Sequence, residues 1–322
     1  MIYVSFFIGL IFICKGGDWF VDASASLAGI LGIPKYIIGA TIVSFATTMP
    51  EMIVSVSAAL KGSSAMAIGN AVGSVSANTG IILGISMICL PVVIQKSEYL
   101  IKNLIYIGCL VVLFLSFQDD VFSPRDSVLL IMAGMLFLIM NVKNAVYKGK
   151  ERNNTDIDRK LAVKKTGLFI LGAVTIVAGS QLLVDSACEI ARQFHISENI
   201  IAVTILAMGT SLPEFVTTIT AILKKESSLS VGNIVGANVI DTAFILPACT
   251  IITGQNLPVS RSMKYIDMPV CLVLAGTALL PMLFRGKIKR LDGIITLFIY
   301  IIYFLYITFL LNIMQNIVII MK

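Results

Sequence analysis

The chain has 322 residues, 57% of them hydrophobic and only 13% charged, with a formal net charge of +6. A soluble domain carries about 25% charged residues, so this composition excludes an ordinary soluble protein. In a membrane protein a basic excess belongs to cytoplasmic loops rather than to a nucleic-acid partner.

The first apolar run, 2–30, opens MIYVSFFIGLIFIC, without a basic leader or a small-residue cleavage site, and reads as a span rather than a signal peptide. Lys15 and Asp18 are spaced to pair on one helix turn. Trp19 is a packing or interface residue, and Asp22 lies towards the span's end, where capping or solvation is expected. Further runs follow at 36–60, 64–94, 100–117 and 126–147. A polar stretch from Tyr147 to Gly167 then separates them from runs at 166–190, 198–223, 227–253, 267–284 and 292–313. Asp185 lies towards the end of its run, and His195 sits beside a loop as a solvated residue. Each run is long and continuous, without the alternation of barrel strands, and ~20 apolar residues cross a bilayer as a helix. Cys14, Cys89, Cys109, Cys188, Cys249 and Cys271 lie in or near the apolar runs with no paired spacing, so no disulfide or zinc framework is expected.

Basic residues set the orientation. With the central linker in the cytoplasm, Lys35, Lys96, Lys102, Lys224, Lys225, Arg285, Lys287, Lys289 and Arg290 share its side. The other side keeps Lys61, Arg125, Arg192, Arg261, Lys264 and the terminal Lys322. Both termini are therefore predicted outside the cytoplasm of a cell (plasma) membrane that the chain crosses many times.

Shifting the sequence by 163 residues superposes it on itself. Thr41 falls on Thr204, Thr47 on Thr210, Pro50 on Pro213, Glu51 on Glu214 and Lys61 on Lys224. Gly69-Asn70 falls on Gly232-Asn233, Gly73 on Gly236, Asn78 on Asp241 and Thr79 on Thr242, with Gly16 and Asp22 on Gly179 and Asp185 upstream. Five spans per copy is an odd number, so the second copy crosses the membrane upside down. The predicted fold is an all-α membrane protein of ten transmembrane helices, arranged as two inverted five-helix repeats with broken helices at the midplane. The repeats are 1–147 and 166–322, joined by a cytoplasmic linker at 148–165.

The best-matched segments are SFATTMPEMIVS (Ser44–Ser55) and AMGTSLPEFVTT (Ala207–Thr218). A mid-helix proline frees the carbonyl four residues earlier, here those of Ala46 and Gly209, and in lipid such groups persist only against protein, water or an ion. Thr47, Thr48 and Glu51 share a helix face, as do Thr210, Ser211 and Glu214. In the partner segments, GNAVGSVSAN and GNIVGANVID, paired glycines read as packing features. Asn70, Ser74 and Asn78 form a polar stripe whose counterpart is Asn233, Ala237 and Asp241. Asn70 and Asn233 are either ligands or interhelical ties. The resulting oxygen-only set contains three carboxylates, Glu51, Glu214 and Asp241, and suits Ca²⁺, Na⁺ or Mg²⁺ rather than zinc or copper. Three buried carboxylates repel one another, so a cation or protons must neutralise them.

These duplicated GTSLPE-like and GN-x-x-G-[SA] motifs resemble the α-repeats of the cation/Ca²⁺ antiporter superfamily, most of all its small prokaryotic Na⁺/Ca²⁺ exchangers. The resemblance implies Ca²⁺ between Glu51 and Glu214, with Thr47 and Thr210 completing the site. It implies flanking Na⁺ sites that draw on the Ser44 carbonyl, Thr48, Ser74, the Ala207 carbonyl and Ser211, with Asn78 and Asp241 lining the centre. Ca²⁺ and Na⁺ are then transported ions, no organic cofactor or nucleic acid is implied, and a monomer in the lipid bilayer suffices. The function implied is exchange of Ca²⁺ for Na⁺ by alternating access, not enzyme catalysis. Three departures stand out: ATTMPE in the first repeat, Ser44 for a small apolar residue, and Ala237 where a serine hydroxyl is usual. The last opens the alternative of Ca²⁺/H⁺ antiport. An intramembrane protease with paired acids lacks its GxGD-type sequence here, and a channel would not need a duplicated occluding site.

Overall fold

The computed structural model describes residues 2–89, 96–151, 159–194, 207–286 and 288–320. In hydrocarbon every backbone donor and acceptor must be satisfied within the protein, and the apolar runs accordingly form helices. They are α1 (Ile2–Leu31), α2 (Lys35–Thr47), α3 (Met49–Leu60), α4 (Ser64–Cys89), α5 (Lys96–Ser116) and α6 (Pro124–Glu151) in the first half. The second half holds α7 (Arg159–Gln193), α8 (Leu212–Leu223), α9 (Ser227–Thr253), α10 (Met263–Pro281) and α11 (Arg290–Ile320). Among the described residues, eight helices are long and apolar enough to cross a membrane, or nine when the bent pair α2 and α3 is taken as one span.

The predicted spans agree with these helices within a few residues, with three differences. The expected span 198–223 is described only from Ala207, as the short helix Ala207–Gly209 followed by α8, and its start lies with His195 outside the described residues. Much of the expected linker, 148–165, is helix, because α6 runs on to Glu151 and α7 begins at Arg159. The expected Lys15 pairing is not made: Asp18 meets Lys224 instead.

The 163-residue register reappears in the helix bounds. Met49–Leu60 corresponds to Leu212–Leu223, and the α-helical part of α4, Ser64–Ala77, to that of α9, Ser227–Ile240. Both α4 and α9 then pass through a π-helical stretch, Asn78–Leu83 and Asp241–Ile245, a feature that often marks functional positions. The turn after each half-helix has a left-handed residue at the same place, Gly62 (φ 78°) and Lys225 (φ 60°). Glycine adopts that conformation freely, whereas at lysine it costs roughly 1–2 kcal/mol.

Helices α4 and α9 form the centre, with 72% and 83% of their apolar windows buried against 22–44% for the other long helices. Close approach fixes their neighbours. A Cβ at Gly232 would strike the Tyr36 carbonyl, and one at Gly236 the Ala40 backbone, so α2 lies directly on α9. Gly69 and Gly73 on α4 meet no such neighbour within 4 Å among the described residues, so only the second glycine pair acts as the packing feature expected of both. Gly9 and Gly16 of α1 sit against Gly179 and Gly172 of α7 backbone to backbone. The outer faces of α1, α6, α7 and α11 carry exposed Phe7, Leu129, Met132, Val174, Phe298 and Ile302, as a lipid-facing surface requires.

Candidate ion-binding site

Two discontinuities build the site. The helix containing SFATTMPE breaks at Thr48 (φ −81°, ψ −3°), and α3 departs from α2 at 43°. Pro50 is therefore not a mid-helix kink. It occupies the first turn of a new half-helix, where its missing N–H costs nothing. The second half repeats this with Ser211 at the cap and Pro213 in the first turn of α8. Glu51 and Glu214 are thereby placed in the first turns of α3 and α8, where the helix dipole favours a carboxylate.

Both glutamates are buried in the protein's centre, 1% and 0% exposed. Among the described residues neither Glu51 oxygen receives a hydrogen bond, and Glu214 receives one, from Thr48 Oγ1 to its Oε1 at 3.2 Å. The Ser74 and Ser211 hydroxyls are also buried without partners. Asp241 and Asn78, counterparts in the register, meet across the halves, Asn78 Nδ2 donating to Asp241 Oδ2 at 3.4 Å. Asp241 Oδ1 and Asn78 Oδ1 accept no hydrogen bond from the described residues. Buried oxygens without donors are costly unless a cation or proton reaches them.

Several expectations about individual residues are sharpened. The Ser44 carbonyl, expected to be available, accepts from Thr48 N (2.9 Å), Thr48 Oγ1 (2.7 Å) and Thr47 Oγ1 (3.2 Å). Its side chain turns to the Thr41 carbonyl. Thr47 donates to Asn233 Oδ1 at 3.3 Å, and Thr210 to Asn70 Oδ1 at 3.2 Å. These two bonds are register counterparts, and each ties one half to the other. Asn70 Nδ2 also holds the Glu51 carbonyl (3.1 Å) and Ser55 Oγ (2.9 Å), so Asn70 is an interhelical tie. Ala207 begins the short helix before the second break, and Ala237 is fully buried opposite the register position of Ser74. Glu51, Glu214 and Asp241 do not close on a single point: no group of three His, Cys, Asp or Glu among the described residues is placed to hold one ion. Any ion here needs hydroxyl and carbonyl oxygens beside the carboxylates.

One polar cluster escaped the motif reading. Asn238 Nδ2 donates to Thr79 Oγ1 at 2.9 Å, and Thr79 shares a hydrogen bond with the Tyr106 hydroxyl at 3.1 Å, all three fully buried beside Asp241. The counterpart of Asn238 is Val75, so duplication could not reveal it. A cavity of about 400 Å³ is lined by Asn70 and Thr210, with Gly69, Gly73, Asp267 and Tyr303 also among its walls.

Half-helices that stop mid-protein and present buried oxygens from two related segments are the plan of membrane transporters that carry ions. The chain belongs to the sodium/calcium exchanger protein family, whose model matches residues 1–143 and 164–309. It is 32% identical over 299 residues to an uncharacterised membrane protein of Methanocaldococcus jannaschii, covering 92% of this chain and 95% of that one. It is 26% identical over 351 residues to the sodium/calcium exchanger MaX1 of Methanosarcina acetivorans, covering 94% and 97%. Among solved structures it resembles the sodium-calcium exchanger NCX_Mj soaked with 10 mM Na⁺ and no Ca²⁺. That likeness has a TM-score of 0.83 and 30% identity, over 94% of this chain and 98% of that one.

Proposed function

We propose that the chain exchanges Ca²⁺ for Na⁺ by alternating access to one oxygen-lined site. The observation that carries this reading is the pair Glu51 and Glu214: one from each half, both buried, with three of their four carboxylate oxygens lacking a donor among the described residues. Ca²⁺ between them is completed by Thr47 and Thr210. Na⁺ takes flanking positions at Thr48, Ser74, Ser211 and the Ser44 and Ala207 carbonyls, with Asn78 and Asp241 at the centre. The architecture proposed is ten spans in two inverted five-helix repeats, 1–147 and 166–322, with the linker in the cytoplasm and both termini outside. Family membership and the NCX_Mj likeness support the exchanger reading, and the recurring helix bounds support the repeat.

The second reading, Ca²⁺/H⁺ antiport, draws on Ala237, whose methyl group offers no oxygen where Ser74 has one in the other half. Ca²⁺ uptake into proteoliposomes decides between them. Uptake driven by an outward Na⁺ gradient at fixed pH is expected, and uptake driven by a pH gradient and indifferent to Na⁺ would replace the first reading with the second.

A further inference from the structure

Lys224 caps the C-terminal end of α8 and reaches α1. Its Nζ lies 2.7 Å from Asp22 Oδ1, 3.0 Å from the Asp18 carbonyl and 3.4 Å from Asp18 Oδ1. Contact between the two helices is tight at this point. A Cβ at Gly17 would lie 2.8 Å from Thr220 Oγ1 and 3.0 Å from a Val216 methyl. The half-helix that begins at Glu214 is thus tied at its far end to α1.

The register supplies the same residues in the other half: Lys61 for Lys224 and Asp185 for Asp22. Lys61 caps α3 with φ −83° and ψ 4°, against −85° and 4° for Lys224. The two lysines therefore leave their half-helices with the same backbone geometry. Yet Lys61 and Asp185 are both exposed and have no side-chain partner among the described residues. Helix α1 packs on α8, while no comparable packing joins α7 to α3. The same lysine–aspartate pair on matching cap geometry is bonded on one side and open on the other: α1 stands against its half-helix and α7 does not, and Asp18, the second acid beside Lys224, has Gln181 at its register position.

Within the antiporter reading, on which this rests, we propose that Lys224–Asp22 and Lys61–Asp185 are alternating latches. The first holds the site closed on the Lys224 side in the present state. When the halves exchange roles, it parts and the second forms, closing the Lys61 side. Lys61 and Asp185 are thereby functional residues of the transport cycle although they touch neither the site nor each other here.

The test is a charge-swap cycle on the full chain in proteoliposomes. Lys61→Asp and Asp185→Lys are each expected to slow Ca²⁺ exchange about five-fold, the size of an exposed ion pair. Equilibrium Ca²⁺ binding in detergent should stay within two-fold, which also reports folding. The double swap is expected to restore most of the rate. Because the two side chains do not meet in this structure, such coupling can come only from another state of the protein. Single-variant effects that simply add in the double variant, with exchange otherwise intact, would overturn the latch alone. Absence of Ca²⁺ exchange by the unmodified chain would overturn the antiporter reading and the latch with it.

Discussion

Of the three buried carboxylates at the site, Glu51 has the fewest hydrogen-bond partners among the described residues, and Glu51→Gln probes it without changing the volume of a side chain that is 1% exposed. The substitution has two consequences of opposite sign. Without an ion, an uncompensated carboxylate in the membrane costs about 2.5–3.5 kcal/mol, and Glu51 also faces the charges of Glu214 and Asp241. The ion-free variant should therefore be more stable by about 3 kcal/mol. With Ca²⁺ present, one side of a buried charge pair is missing, a loss of about 3–5 kcal/mol. At 1.4 kcal/mol per decade that weakens Ca²⁺ binding roughly 100- to 4,000-fold. Thermal unfolding in detergent reads both effects. At a Ca²⁺ concentration 100 times its Kd the parent protein gains about 2.7 kcal/mol, and the variant should gain almost nothing. A variant that keeps the parent's Ca²⁺ dependence would refute the placement of Ca²⁺ at Glu51. A variant that is less stable than the parent without Ca²⁺ would refute the claim that its charge is uncompensated.

Other perturbations test the supporting structure. Asn70→Ala removes three hydrogen bonds that link α3, α4 and Thr210. At about 1 kcal/mol each it should cost about 3 kcal/mol, measurable as a lowered midpoint of thermal unfolding; a loss near zero would mean that the tie is not formed. Gly232→Ala forces a Cβ into the Tyr36 carbonyl, whereas Gly69→Ala meets open space. Overpacking costs about 1–3 kcal/mol, so the first variant should be the less stable by that margin, and equal stabilities would contradict the close approach of α2 to α9. Ala237→Ser adds a hydroxyl opposite Ser74, and the Na⁺ concentration for half-maximal exchange should fall roughly ten-fold, the worth of one bond to a charged group. An unchanged Na⁺ dependence would mean that another oxygen already serves that position.

The 163-residue register was legible because its residues carry their structure locally. The register read from Thr47, Pro50, Glu51 and Asn70 places both half-helices and both central helices with the same bounds in the two halves. What was not legible depends on partners distant in sequence. That Thr48 rather than Pro50 marks the break follows from proline's preference for a first turn, which equally allows a kink until the chain direction is known. The resemblance to the exchangers implied an available Ser44 carbonyl, but the hydroxyls of its near neighbours Thr47 and Thr48 fold back onto it. Asn238, Thr79 and Tyr106 come from three helices. With Val75 at the counterpart of Asn238, duplication marked Thr79 through Thr242 but not the asparagine it binds. The ends of the linker are helical because a basic, polar sequence leaves the membrane without having to leave the helix.

The ion pair between Lys35 and Glu226, with Nζ 2.6 Å from a carboxylate oxygen, joins the start of α2 to the turn after α8. The register sets Glu198 against Lys35 and Ser63 against Glu226, so the other half has no matching opposite charges at these positions. A perfect molecular palindrome would spend equal time facing each way when empty. Under the alternating access proposed above, this unmatched bond would make the empty protein lopsided, with one resting orientation deeper than the other. Because exposed charges are screened by salt, the lopsidedness should shrink as ionic strength rises.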